Sequence, residues 1–287
     1  MTGSLTFSPN YTMDLMKMVH SSLDALRNTL QSGDREEDAW AKIQQLEQLE
    51  HLLVDQAARL DVINRVLDEF NYSVAHELFA PLRRIAGFTS ELKTRCSSEM
   101  EGEGIDCLNS ILSSTHQMND LIDALMQLSR VSHVELQPAR IGVSEMAGEI
   151  AEELTMEDPQ RRAVVSIPPQ LGAVADPVLL KIALRKLFEN AWKFTATRDV
   201  AIMEFGAFTE GSEAGFYLRD NGVGFDMAEY GRLFHPFQRL HAPEHFPGNG
   251  IGLTIVKRIV ERHGGRIRAE GTPQAGATFR FTLPSGL

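Results

Sequence analysis

From Leu46 the chain repeats an apolar residue at alternating steps of three and four: Leu46, Leu49, Leu53, Gln56, Leu60, Ile63, Leu67, Phe70 and Val74, with Gln56 the one polar member. Residues at that spacing form one stripe along an α-helix, and a stripe kept over four repeats exceeds what an ordinary globular helix needs. It calls for a second helix of similar length. None is encoded nearby, so a parallel homodimer is the expected arrangement. The helix should begin near Glu36. Before it, Ser32-Gly33-Asp34 breaks a shorter seam through Met16, Val19, Leu23, Leu26 and Leu30, and residues 1–10 carry Gly, Ser and Pro, as loose tails do.

The long stripe leads into Ser73-Val74-Ala75-His76-Glu77-Leu78-Phe79-Ala80-Pro81-Leu82. His76 is two residues past Val74, about 200 degrees around the helix from it. It is expected to leave the seam and face solvent, with a carboxylate, Glu77, beside it. Pro81 has no N–H to give and should bend the helix. Apolar spacing resumes at Leu82, Ile85, Phe88 and Leu92, and a return helix is marked by Ile105, Leu108, Ile111, Leu112, Met118, Ile122 and Leu125. Two such hairpins make a four-helix bundle. Val131 to Arg140 reads as a linker.

Composition narrows the class. The net charge of -11 and a pI near 5.3 argue against nucleic acid or an anionic membrane surface as the main partner. No apolar run reaches the roughly 18 residues of a membrane span. Together with only two cysteines, Cys96 and Cys107, this makes a cytoplasmic chain the expectation. A redox pair formed by those two thiols across the intervening loop is a lesser alternative.

Beyond Ile141 the pattern becomes α+β. A helix from about Val143 to Leu154 leads to short apolar runs at 163–167 and 172–175, and Asp176-Pro177 then supplies an N-cap and a first-turn proline for a helix ending at Phe194. Strands are expected at 200–208, 215–219, 266–270 and 278–283, mostly meandering, with a helix between Ile251 and His263 closed by Gly264-Gly265.

Three pieces of this region suit a nucleotide. Asn190 and Lys193 stand one turn apart, an oxygen ligand and a cation fitted to a Mg-triphosphate. Asp220-Asn221-Gly222-Val223-Gly224 ends a strand with a carboxylate able to accept from an amino group, and its glycines allow close approach. Gly248-Asn249-Gly250-Ile251-Gly252 opens a helix whose free N–H groups favour phosphate. Each alone also fits a solvated face, a turn or a plain glycine loop; their order and spacing give them weight. His241 and His245 share a spacing of four, but a loop setting and the lack of further ligands point away from a metal there.

With these motifs in order, residues 60–285 resemble the sensor histidine kinases. Asn190 to Phe194 is similar to the family's N-box, Asp220 to Gly224 to its first glycine box, Phe234 to Phe237 to its F-box, and Gly248 to Gly252 to its second glycine box. His76-Glu77-Leu78 with Ala80-Pro81-Leu82 is similar to the phosphoacceptor box, and Asp220 to Phe225 and Phe237 to His241 resemble phytochrome-type kinases in particular.

The resemblance implies an all-α helical-hairpin domain that dimerises into a four-helix bundle, followed by an α/β-sandwich ATP-binding domain of the gyrase, heat-shock and histidine-kinase superfamily. The divisions expected are a tail and helix at 1–35, a coiled-coil signalling helix at 36–70, a dimerisation and histidine phosphotransfer domain at 71–135, and a catalytic domain at 141–287. It implies ATP and Mg2+ as cofactors. His76 would attack the γ-phosphate, and Glu77 would keep its ring basic. Asn190 would hold Mg2+, Lys193 and Arg239 would meet phosphate oxygens, Phe194 would pack on the purine, and Asp220 would read its amino group. Gly222, Gly224, Gly248, Gly250 and Gly252 would line the nucleotide, and residues 235–250 would form a lid. The phosphate would pass to an aspartate of a response-regulator receiver domain on another chain.

Three residues depart from the family's pattern. Phe79 replaces a frequent basic residue and reads as an exposed aromatic that packs on a partner. Ala80 stands where phosphatase-active relatives carry a Thr or Asn that positions water. Lys186 stands where related ATPases carry a water-activating glutamate, and reads as a surface lysine. Phe79 and Lys186 feed the rival reading, a catalytically idle homologue serving as a dimeric docking scaffold. No sensor domain is evident in the first 60 residues, so the input is expected from a partner on the N-terminal helix or from a sensor on another chain.

Overall fold

A computed structural model describes residues 36–96, 102–211, 213–242, 245–246 and 248–283. The expected helix at Met13–Leu30, its Ser32-Gly33-Asp34 break and part of the loop at 99–104 lie outside the described residues. The chain divides into two compact units at Phe70/Asn71. Among the described residues no helix is long and apolar enough to cross a membrane.

Helix α1, Glu36–Cys96, runs unbroken through both the heptad stripe and the His76 segment. Within its first unit Ile43 is 1% exposed, whereas Leu49, Leu52, Val54, Val62, Ile63 and Val66 stand open on the single chain. Pro81 sits inside the helix. Its missing N–H leaves the Glu77 carbonyl without the usual i+4 donor. The direction of the His76 ring, and of the seam residues Leu60, Leu67 and Phe70, lies outside the described side chains.

Helix α2, Gly102–His133, returns alongside the later part of α1. Ala75, Leu82 and Ile122 form the buried contact, with Phe79, Leu125 and Met126 packed around it. Lys93 Nζ donates to Asn109 Oδ1 at 2.8 Å near the end where the two helices are joined. The expectation for Phe79 needs correction: the ring is half-buried against its own hairpin. Phe79 lies four residues beyond Ala75 and three before Leu82, on the face that meets α2.

The region from Ala139 onward holds two sheets. Strand β1 (Ala139–Gly142) pairs antiparallel with β3 (Gly172–Ala175). The larger sheet has the order β2-β4-β5-β7-β6, from β2 (Ala163–Ser166), β4 (Ala201–Glu210), β5 (Glu213–Asp220), β6 (Ile267–Thr272) and β7 (Gly276–Phe281). The expected meander holds for the hairpins β4–β5 and β6–β7. It fails at β2, which runs parallel to β4 after a crossover containing helix α4.

Helices α3 (Val143–Glu157), α4 (Pro177–Phe194) and α5 (Gly252–Arg262) contribute to one core with the sheet. Its centre is a file of rings. Phe188 meets Phe205 at 5.9 Å, Phe205 stacks on Phe216 at 6.0 Å, and Phe216 meets Phe281 at 5.6 Å.

Asp176 organises the start of α4. Its Oδ1 accepts from the N–H groups of Val178 and Leu179, its Oδ2 accepts from Gln137 in the linker, and its own N–H donates to His263 Nε2 at 2.9 Å. Desolvation pushes the Asp176 carboxyl up, but the Leu179, Gln137 and Val178 donors and nearby His263 outweigh it and hold the group below the usual carboxylate range. His263 is buried and its Nδ1 meets the Ile259 carbonyl at 2.8 Å, which fixes the tautomer that leaves Nε2 as acceptor.

Replacing Asp176 by Ala is expected to destabilise the chain by about 1–3 kcal/mol at neutral pH, through the lost cap and stranded donors. The folded carboxyl titrates below its unfolded value, so its contribution is present above that value and lost as pH falls through the folded one. Urea unfolding of wild type and variant at neutral pH and in strong acid checks that the gap closes only in acid.

Candidate functional site

The end of α4 has two faces. Leu184, Leu187, Phe188 and Ala191 are buried in the core, while Lys186, Asn190 and Lys193 line a cleft. The helix end is itself pinned. Thr195 is fully buried, donates to the Ala191 carbonyl at 2.7 Å and accepts from Arg161, whose guanidinium lies 4.5 Å from the Trp192 ring centre.

The cleft has a volume of about 1730 Å³ and collects Asn190, Lys193, Phe194, Asp220, Gly224, Arg239, Gly248, Gly250 and Gly252. Four separate stretches supply them: the end of α4, the end of β5, the loop 233–250, and the start of α5. Gly222 sits beneath Asp220. A Cβ there would lie 2.6 Å from the Phe194 carbonyl and 2.8 Å from Asp220 Oδ1, so only glycine fits the turn. Gly250 has φ of +72°, and a Cβ on it would meet the Gln238 carbonyl at 2.7 Å. The far wall comes from α2, including Asp120 and Ala124, and from Phe79 of α1. Glu77 is exposed. It is not among the lining residues.

Two charges in the cleft are held against desolvation. Asp220 is 6% exposed and accepts from Gly222 N–H at 2.8 Å. Burial raises its carboxyl to about 6, although the Gly222 and Ala277 N–H groups and the charge of Arg198 pull the other way. Lys193 is lowered to about 8, first by burial and then by the Arg239 charge, with Glu189 opposing. Its Nζ lies 4.4 Å from the centre of the Phe194 ring, and a Cβ on Gly248 would be 3.2 Å from it.

Lys186 lines the cleft instead of facing open solvent, and its Nζ is paired with Glu189 at 2.9 Å. Phe194 packs against His241 and Phe246 with ring centres 5.3 and 5.2 Å away. His241 also holds the Gly224 carbonyl through Nε2 at 2.9 Å, and Arg239 donates to the Phe246 carbonyl. His241 and Phe246 are site residues that the motif reading did not assign. The one sequence clue was that His241 closes the phytochrome-like stretch Phe237 to His241.

These groups fit a nucleoside triphosphate with its magnesium. Among the described residues no three His, Cys, Asp or Glu side chains are placed to hold a metal by themselves. Asn190 offers one amide oxygen beside two cations. A magnesium ion held by one protein oxygen takes its remaining ligands from phosphates and water, as that ion commonly does.

Comparison with known proteins agrees with this geometry. Residues 66–133 match the His Kinase A (phospho-acceptor) domain, and residues 175–287 match the histidine kinase-, DNA gyrase B- and HSP90-like ATPase domain. The chain belongs to the sensor histidine kinase family. Among its relatives are the phytochrome-like protein Cph1 of Synechocystis sp., 29% identical over 85% of this chain and 32% of that protein. Cyanobacterial phytochrome B of Nostoc sp. is 33% identical over 80% and 31%. Sensor histidine kinase GacS of Pseudomonas protegens is 28% identical over 92% and 30%. The chain thus spans about a third of the length of these relatives. The crystal structure of full-length ShkA in complex with AMPPNP shares the fold, with a TM-score of 0.54 at 22% identity over 75% of this chain and 45% of that one.

The raised Asp220 carboxyl makes a stability prediction. Its folded value near 6 lies above the ordinary 3.8, so the buried charge costs stability above about pH 6, and the cost fades as pH falls toward 3.8. Without nucleotide, Asp220→Asn is expected to stabilise the chain by about 1–3 kcal/mol in mildly alkaline buffer and by little in acid. Denaturant midpoints at the two pH values check it.

Proposed function

We propose that the chain is an ATP-dependent protein-histidine kinase that phosphorylates His76 and hands the phosphate to an aspartate of a response-regulator receiver domain. One observation carries this reading. Asn190 and Lys193 from α4, Asp220 from β5 and Arg239 from the loop that follows converge on one cleft, and the wall opposite includes Phe79, three residues from His76 in the same helix.

The roles follow from the chemistry of each group. The Asp220 carboxylate accepts from the adenine amino group, and Phe194 packs beside the purine with His241 and Phe246 as its cover. Lys193 and Arg239 neutralise phosphate oxygens. Asn190 supplies an oxygen to Mg2+, which when bound offsets charge on the transferring phosphoryl group. The free N–H groups at the start of α5 face the same anion. A ring nitrogen of His76 attacks the γ-phosphorus, the bond to the β–γ bridging oxygen breaks, and ADP leaves. Positioning and charge neutralisation supply most of the catalysis in reactions of this kind.

Dimerisation belongs to the same proposal. Leu78, Ile85 and Leu92 of α1 and Ile111 and Met118 of α2 are exposed and follow sevenfold spacing, with Phe88 65% exposed among them. A second hairpin laid on this stripe gives a four-helix bundle and removes the apolar surface from water.

Purified chain incubated with labelled ATP and Mg2+ is expected to acquire an acid-labile, alkali-stable phosphate, and His76→Gln to lose it. Normal nucleotide binding with an unlabelled wild type would instead support the idle docking scaffold. Lys193 adds a pH signature. Its ammonium is charged below about 8, so ATP affinity should decline as pH rises past that value. Lys193→Gln is expected to weaken Mg-ATP binding by about tenfold at neutral pH and to flatten the alkaline decline, as calorimetric titration will read.

A further inference from the structure

Arg198 lies between α4 and β4, outside every motif of the cleft. Its Nε donates to the Asn221 carbonyl at 2.8 Å, and its Nη2 donates to the carbonyls of Gly222 at 2.9 Å and Gln274 at 2.7 Å. Two loops therefore meet on one guanidinium: the turn leaving β5, which carries Asp220, and the turn between β6 and β7. Other bonds secure the same turn. Asn221 Oδ1 accepts from Ile202 N–H, Asn221 Nδ2 donates to the Val200 carbonyl, and Gln274 N–H donates to the Val223 carbonyl. A planar fork of fixed donors suits several converging carbonyls, and its charge persists at every working pH.

We infer that Arg198 is a positioning residue for the nucleotide: it clips the Asn221-Gly222 turn so that Asp220 is held toward the cleft, and its positive charge keeps that carboxylate ionised for the adenine amino group. This rests on the reading of the cleft as an adenine nucleotide site. The turn is close-packed where the clip holds it, since a Cβ on Gly222 would lie 2.6 Å from the Phe194 carbonyl and 2.8 Å from Asp220 Oδ1.

The surroundings of Asp220 give the charge part its meaning. Its strand neighbours in register, Met203 on β4 and Ala277 on β7, carry no charge. The cleft side presents Lys193, Glu189 and Lys186 from α4 and Arg239 and His241 from the loop 233–250. Arg198 acts from behind the turn, and its charge draws the carboxyl back down from the value that burial alone would set. Removing it leaves desolvation less opposed, so the carboxyl titrates at higher pH.

The test is Mg-ADP binding to the full chain, followed by calorimetry from mildly acid to mildly alkaline pH, for wild type, Arg198→Met and Arg198→Lys. Wild type should lose affinity on the acid side as Asp220 takes up its proton. Arg198→Met should bind about tenfold more weakly at neutral pH, with the acid decline displaced to higher pH. Arg198→Lys keeps the charge but cannot reach three carbonyls, so it should bind more weakly with the acid decline where wild type has it. Wild-type affinity in the Met variant, or an unmoved acid decline, overturns the inference. Should the Met variant fail to fold by circular dichroism, the Lys variant decides, and wild-type affinity there overturns it equally. A wild type that binds no Mg-ADP at any pH refutes the reading of the cleft and removes this inference with it.

Discussion

The Asp176 carboxylate is the junction on which the ATP-binding region is set. It caps α4 and receives the linker through Gln137, while the backbone N–H of the same residue donates to His263 at the end of α5. Helix α4 then runs 18 residues to Phe194 and delivers Asn190, Lys193 and Phe194 to the cleft. A helix start fixes the angular position of every later residue, so a cap fourteen positions upstream of Asn190 would not show up as a site residue, yet it decides where the amide points. The burial of Leu180, Leu184, Leu187 and Phe188 against the sheet fixes the rest.

The cleft keeps two opposite charges in poor solvation. Asp220 is displaced upward and Lys193 downward, each toward its neutral form. Arg198 and Glu189 offset these displacements only in part, and such groups are costly to hold. On the proposed reading a nucleotide is complementary to both at once, its amino group donating to the carboxylate and its phosphates restoring the ammonium. Electrostatic strain of this kind is the signature of a site prepared for a ligand.

Sequence patterns were informative wherever the physics is local. The Asp176-Pro177 cap, the Gly264-Gly265 stop, the faces of α4 and the glycine turns all act within a few residues, and the helices and most strands fall where those signals put them. Family wording added the functional roles and the two-domain plan. What stayed hidden depends on partners far along the chain. His263 is defined by the Asp176 N–H, 87 residues away, and Arg198 by a carbonyl 76 residues away, so neither leaves a periodic trace. The parallel pairing of β2 with β4 is hidden for the same reason, because a four-residue run does not reveal which edge it joins. Phe79 was misjudged by comparison with relatives. Its spacing from Ala75 and Leu82 already placed it on the face that packs.

Helix α5 opens at the second glycine box and closes at Arg262, which donates to the carbonyls of Val131 and Val134, while Arg258 reaches Ser132 Oγ at 3.0 Å. At the other end Asn249 donates to the Asp120 carbonyl and accepts from Ile251 N–H. Eleven helical residues span about 16 Å and resist bending over that length. The helix therefore works as a strut, with the glycine loop at one tip and a grip on the last turns of α2 at the other. A shift of the glycine loop along the helix axis is therefore passed to the last turns of α2 instead of being taken up by bending within α5.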